Sequence, residues 1–282
     1  MRESNLMLSP IEVVDHTVTG EKFILQPVPE GDMMETHPRP EIHDLPKYYE
    51  SSEYISHTDS SRSLFEKLYQ VVKKFALRQK VSLIKRYKSS GALLDLGAGT
   101  GDFLVQAKKQ GFVTCGVEPG ESARNRAISK GLNLETTTAS LQDHSQDIIT
   151  MWHVLEHVPE VGLQIDELRR ILKPDGVLIV AVPNFKSFDA EHYGAFWAAY
   201  DAPRHLHHFS QTAMHRIFNE KQMRIRKVLP MYFDAFYVSL LSEKYRTGKL
   251  NYFSAFRIGL QSNLKALSSG EYSSLIYIIT NK

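Results

Sequence analysis

Residues 93 to 103 read Leu-Leu-Asp-Leu-Gly-Ala-Gly-Thr-Gly-Asp-Phe, a glycine-rich turn set between an apolar run and a helical pattern. Glycines at a strand-to-helix turn let the backbone approach a ligand closely and aim helix N–H groups at it. From this turn to the carboxyl end, strand and helix patterns alternate, which signals a parallel sheet with helices on both faces. The expected strands are residues 92–96, 112–117, 133–137, 147–152, 177–182, 223–230 and 274–280, and the expected helices 101–110, 121–130, 161–172 and 211–221. Lys173-Pro174-Asp175-Gly176 reads as a stop and turn after the third of these helices. A chain of 282 residues has room for one main domain with insertions. We expect an amino-terminal arm at 1–60 and a main domain at 61–282, with insertions at 184–210 and 234–268.

The acids around the turn narrow its ligand. A dinucleotide fingerprint spaces its glycines G-x-G-x-x-G, whereas Gly97, Gly99 and Gly101 run G-x-G-x-G, with Asp102 where that pattern needs glycine. Asp95 at the strand end would stand near a pyrophosphate, and repulsion there is costly. A nucleoside with an ammonium and a sulfonium and no phosphate, as in S-adenosylmethionine, makes the same carboxylates favourable. Glu118, 17 residues beyond Gly101 at the end of the next strand, suits both ribose hydroxyls of either cofactor type.

With these residues in view, LLDLGAGTGDF, GVEP, DIITMWHVLEHV and LRRILKPDGVLIVAVPN resemble the successive motifs of class I S-adenosylmethionine-dependent methyltransferases. Within that class the chain is similar to the ubiquinone-biosynthesis O-methyltransferase-like bacterial group, over about residues 90 to 230. The resemblance implies an α/β, Rossmann-like seven-stranded sheet in the order 3-2-1-4-5-7-6, with the seventh strand antiparallel. It implies S-adenosyl-L-methionine as cofactor and S-adenosyl-L-homocysteine as product. Asp95, Gly97, Gly99 and Gly101, with Ala98 and Phe103 on the same loop, would meet the methionine end. Glu118, beside Pro119, would meet the ribose, Ser140 and Leu141 the adenine edge, and Met151, Trp152 and His153 the floor beneath the sulfonium. Relatives often place an acid near Ser140; here backbone or Gln142 must substitute. Similar arms in bacterial relatives carry paired cysteines for zinc, but the surroundings of Gln26-Pro27-Val28-Pro29 hold none, so no metal is expected there.

Composition agrees with a soluble globular class, at 42% hydrophobic and 23% charged. No apolar run approaches the ~20 residues that span a bilayer. The first residues carry acids where an export signal needs an apolar stretch, so a cytoplasmic location is expected. The single cysteine, Cys115, excludes an intrachain disulfide and reads as buried filler. A net charge of +2 gives no reason to expect a nucleic-acid partner. The stretch Arg62 to Lys88 holds nine bases and one acid, with Phe65, Leu68, Val72, Phe75 and Ala76 at helical spacing, which predicts a helix with a solvated basic face.

Seven of twelve histidines fall between His153 and His215, in the part that overhangs the carboxyl edge of the sheet, where open α/β sheets bind ligands. His153 and His157 are four apart and would share a helical face, yet two histidines without a third ligand do not make a metal site; Glu156 and His157 read as partners that fix the turn. The run Trp197 to Ser210 mixes rigid aromatics with titratable groups and suits a lid over a small acceptor. Methyl transfer is an in-line displacement that needs orientation and, for a hydroxyl acceptor, a base. His205 or His208 is the expected base, with Arg204 and Tyr200 positioning the acceptor and His157 nearby. The expected partner is a small molecule methylated at oxygen, and the expected state a monomer or homodimer. A nicotinamide-dependent oxidoreductase and a non-catalytic S-adenosylmethionine-binding protein are the alternatives.

Overall fold

A computed structural model describes residues 8–41, 43–44, 47–48 and 64–282, with 64–71 as backbone only. The expected arm boundary at residue 60, Arg62, and the side chains of Phe65 and Leu68 lie outside the described residues.

Two sheets organise the chain. The larger has seven strands: β4 (Gly91–Leu96), β5 (Phe112–Val117), β6 (Leu134–Glu135), β7 (Gln146–Trp152), β8 (Leu172–Pro183), β10 (Met223–Pro230) and β11 (Ser274–Asn281). Their spatial order is β6-β5-β4-β7-β8-β11-β10, the expected 3-2-1-4-5-7-6. β4, β5, β6, β7 and β8 pair in parallel, while β11 runs antiparallel between β8 and β10.

Alternation along the central strands sends neighbours to opposite faces. Leu94, Ile149 and Leu178 pack with Ile165 and Leu168 of helix α4 (Val161–Ile171) and Met214 and Phe218 of α6 (Gln211–Glu220). Leu93, Ile148 and Ile179 face the other way. They pack with Ile84 of α1 (Leu64–Lys85), Leu104 of α2 (Asp102–Lys109) and Ala127 of α3 (Glu121–Ser129). Both faces are therefore covered, as a parallel sheet requires.

The smaller sheet, ordered β1-β2-β3-β9, takes β1 (Ile11–Val14), β2 (Lys22–Pro27) and β3 (Met34–His37) from the arm and β9 (His207–His208) from the main domain. Val13, Phe23, Leu25 and Met34 bury against Trp197 and Tyr200. The described arm is thus packed, because its strands borrow an apolar face from the 184–210 insertion. That insertion contains α5 (Phe188–Tyr193) and two short 3-10 turns, and the second insertion is a hairpin of α7 (Asp234–Thr247) and α8 (Tyr252–Ser269).

Other local expectations need correcting. β8 begins at Leu172, so Lys173-Pro174-Asp175-Gly176 lies inside an irregular strand start; the register shift between Gln146 and Ile148 on β7 accommodates it. The expected strand 133–137 shortens to Leu134–Glu135. Phe75 is exposed, and meets Phe233 edge-on; the buried side of α1 is instead Val81, Leu83 and Ile84. The basic face of α1 is not wholly solvated, since Lys73 pairs with Asp102 and Lys80 lies over the Trp152 ring. Cys115 is half-buried.

Candidate active site

The turn after β4 is held against the neighbouring strand, with Gly97 N and Ala98 N both donating to Val117 O at 2.8 and 3.1 Å. Gly97 has φ +65°, and a Cβ there would come within 2.4 Å of Val154 Cγ2. Gly99 also has a positive φ, +54°, but a Cβ there would meet nothing within 4 Å. One glycine thus exists for close packing, the other opens the loop to a ligand. Gly101 caps α2, and Phe103 is buried beneath the turn with its ring edge-on to Trp152 at 5.7 Å.

Carboxylates frame the loop as the sequence required. Glu118, at the end of β5, accepts from Gly99 N and Gly120 N, both at 2.8 Å, which holds the carboxylate at the loop mouth beside Pro119. Asp95 is buried and accepts from Thr150 Oγ1 at 2.6 Å. Burial pushes its carboxyl up to about 7, against the opposing pulls of Thr150 and Lys80. Lys80 itself sits 4.5 Å over the Trp152 ring in the field of Asp95 and Asp234, and burial holds its ammonium below the usual lysine range. Asp95, Asp234 and the Trp152 face thus only partly offset the cost of burying the Lys80 ammonium. The indole Nε1 of Trp152 is a buried donor with no protein partner.

These residues fit an ammonium- and sulfonium-bearing nucleoside: an open glycine turn, acids in place of phosphate-binding groups, and an unspent donor on the floor. Met151 lies fully buried below that floor. Ser140 is exposed and Leu141 half-buried, and the Leu141 carbonyl is bound by Arg170 Nη1.

Beyond β7 the chain turns sharply. His153 takes φ +58°, and its backbone N–H bonds Ala181 O at 3.0 Å. Its ring bridges Asp234 Oδ2 at 3.0 Å through Nε2 and Glu156 Oε1 at 3.3 Å through Nδ1. Burial alone would lower this imidazole, but Asp234 and Glu156 hold it up to about 10, so it is an imidazolium. Glu156 is 1% exposed, and neither carboxylate oxygen has a protein hydrogen bond of ordinary geometry.

His205 closes on the same carboxylate. Its Nδ1 donates to Ala199 O at 2.9 Å, which turns Nε2 toward the carboxylates. Nε2 stands 4.0 Å from Glu156 Oε1 and 3.8 Å from Asp201 Oδ2. His157 is fixed in the same way by Arg204 O at 2.8 Å, and burial lowers its imidazole to about 4, so it is neutral. Glu156, His157 and His205 bring ligand-type atoms within 4.8 Å of one another, a donor set that suits a divalent cation. This is not the His153–His157 pair read from the sequence: His153 is taken up by Asp234 and Glu156, and His205 joins His157 and Glu156 from 48 residues downstream of His157.

The other expected site residues are placed differently. His208 is buried with Nε2 on Thr36 Oγ1 at 3.0 Å, and burial holds its imidazole well below the ordinary range. Arg204 is 3% exposed, clamps Asp201 with two donors and reaches Tyr48 O at 2.8 Å, so it braces the loop that carries His205. Tyr200 is buried edge-on against Trp197 and His208. His207 is buried beside Glu35. Sequence reading missed Glu156 as the centre of the cluster, and Asp234 and Lys80 altogether. Glu156 follows β7 by four residues, and only the fold brings Asp234 and Lys80 to the end of that strand. A separate cavity of about 580 Å³, lined by His144, Arg169, Arg170 and Gln222, opens at the amino ends of the parallel strands, away from this cluster.

Comparison with known proteins agrees with the geometry. The family model described as "Methyltransferase domain" matches residues 64–228. A ubiquinone biosynthesis O-methyltransferase of Actinobacillus pleuropneumoniae is 30% identical over 135 residues, which cover 42% of this chain and 58% of that relative. The one from Haemophilus ducreyi is 29% identical, over 42% of this chain and 57% of its own. Among solved structures, a magnesium protoporphyrin IX methyltransferase from Synechocystis with bound S-adenosylhomocysteine superposes with TM-score 0.57 at 14% identity, over 86% of this chain and all of its own. A methyltransferase from Thermotoga maritima gives 0.54 at 23% identity, over 77% of this chain and 94% of its own.

Proposed function

The chain belongs to the class I S-adenosylmethionine-dependent methyltransferases, and on that premise we propose that it transfers a methyl group to a hydroxyl of a small molecule, with His205 as the base. The donor supplies an electrophilic methyl group on a sulfonium. Asp95 and Glu118 hold the donor's cationic and ribose ends, and Trp152 and His153 form the floor beneath the reacting bond. The observation that carries the reading is the convergence of His205 Nε2 with two carboxylates, 3.8 and 4.0 Å away, one of which, Glu156, also meets His153.

Such an imidazole is set up to accept a proton. Ala199 O fixes its tautomer, and Glu156 and Asp201 stabilise the imidazolium that results. His153, already an imidazolium, acts by fixing the Glu156 carboxylate, and neutral His157 walls the other side. Oxygen as acceptor atom is supported by the two O-methyltransferases similar over 42% of this chain, and by the presence of a candidate base, which sulfonium chemistry on a free amine does not need.

The test is His205→Gln, which keeps a ring-sized polar group without the imidazole base. Donor affinity by calorimetry should stay within twofold, while turnover on a panel of phenols, catechols and sugars should fall roughly 10²–10⁴-fold. Unchanged turnover would remove His205 from the reaction. Donor binding without turnover on any acceptor by the unaltered chain would favour the non-catalytic alternative.

A further inference from the structure

Only one side of helix α8 is used for packing. Ala255, Ile258, Gly259, Ser262 and Ala266 are buried against the rest of the molecule. On the opposite side Phe253, Phe256, Leu260, Leu264 and Leu267 are exposed, by 81, 59, 42, 57 and 71%. At 100° per residue these five fall within a sector of roughly 80° and run roughly 21 Å along the axis. Leu250 extends the row at the hairpin tip, 44% exposed.

Charge accompanies the stripe. From Lys244 to Leu267 the chain holds five bases, Lys244, Arg246, Lys249, Arg257 and Lys265, and no acid. Glu243, just before, binds Arg246, and the remainder of the stretch stays net positive. Arg257 lies on the edge of the stripe, and Lys265 lies further round, its ammonium 3.7 Å over the Phe188 ring. An aromatic and leucine row of this width, with Arg257 on its edge and Lys249 at the hairpin tip, has the build of a helix lying in a membrane interface, where apolar side chains enter the acyl boundary and long basic stems reach up to headgroups.

We propose that the exposed face of α8 docks the protein on an anionic lipid bilayer. Among the described residues no helix is long and apolar enough to cross a membrane, so the contact is one that lies on the surface. Charge decides between a bilayer and a second copy of the chain. A two-fold pair through this stripe would set the basic stretch of one copy beside that of the other with no acid on either helix to offset it, whereas an anionic headgroup layer complements it. None of the stripe residues belongs to the glycine turn or the His205 cluster, and the inference stands without the O-methylation reading.

The experiment is co-sedimentation of the full chain with vesicles of phosphatidylcholine containing 30% phosphatidylglycerol, against vesicles of phosphatidylcholine alone. Binding to the anionic vesicles is expected, weaker by at least about tenfold on the neutral ones and in 0.5 M salt. Phe253→Glu combined with Leu264→Glu should cost at least about tenfold in vesicle binding while melting temperature and donor affinity hold, since neither side chain packs in the core. No binding to anionic vesicles, or equal binding by the double variant, overturns the proposal. Light scattering that shows a dimer broken by the same variant overturns it in favour of a second copy.

Discussion

Asp95 places a titration in the middle of the donor site. Buried below the glycine turn, its carboxyl is raised to about 7, so near neutrality it is only partly ionised before donor arrives. A cationic donor favours the ionised form, and binding therefore draws the proton off. Affinity should rise with pH: between pH 6 and 7 the ionised fraction grows from about 0.09 to about 0.5, roughly a fivefold gain. The donor's own α-ammonium stays protonated over that range, so the gain belongs to the protein. Calorimetry at the two pH values checks it, and Asp95→Asn should flatten the dependence as well as weaken binding. His205 carries a second residue-scale expectation. If its Nε2 lone pair receives the acceptor's proton, exhaustive dialysis against EDTA leaves turnover unchanged. Loss of turnover restored by Mg²⁺ or Zn²⁺ would instead make His205 a metal ligand beside Glu156 and His157.

At the scale of elements, a two-residue strand has a large effect. β9 joins the arm sheet through His207 and His208, and Thr36 on β3 locks it, donating from Oγ1 to His205 O at 2.6 Å and meeting His208 Nε2 at 3.0 Å. Thr36→Val keeps the shape and removes both bonds, leaving a buried imidazole nitrogen and carbonyl short of a partner. A loss of about 1–3 kcal/mol is expected by urea unfolding, with donor affinity unchanged because the glycine turn is untouched; an unaltered unfolding midpoint would deny the lock. This pairing also marks where the sequence stopped being readable. The seven-stranded sheet was legible because its strands are continuous apolar runs separated by Gly and Pro signals, and the donor loop because Asp95, Gly97, Gly99 and Glu118 keep a fixed local spacing. β9 has no periodicity to detect in two residues, and its partner lies about 170 positions away. Asp234 and Lys80 were invisible for the same reason, one opening a helix after β10 and the other reading as one more base on a polar helix face. Phe75 fitted the apolar spacing of α1 and still came out exposed, because tertiary packing chose Val81, Leu83 and Ile84.

Across the whole molecule, Asp189 connects the parts that surround the acceptor side. Fully buried on α5, it accepts from Trp197 Nε1 at 2.8 Å, Ser262 Oγ at 2.6 Å and Ser273 Oγ at 2.7 Å. Those donors belong to the 184–210 insertion, to α8 of the hairpin and to the residue that precedes β11. One carboxylate thus ties both insertions to the central sheet, and through Trp197 it supports Tyr200 and the turn that carries His205. Asp189→Ala leaves three buried donors around a small void, and the indole N–H cannot reverse its role as a hydroxyl can. The expected cost is about 2–4 kcal/mol in unfolding free energy. Its functional consequence should be uneven. The glycine turn and Glu118 rest on β4, β5 and α2, outside this network, so donor affinity should move by less than about twofold, well under 1 kcal/mol. Turnover at saturating donor should fall much further, because the cradle of His205 loosens. Equal losses in donor affinity and turnover would mean that the molecule responds as one rigid unit, and that the insertions are not a separately anchored acceptor wall.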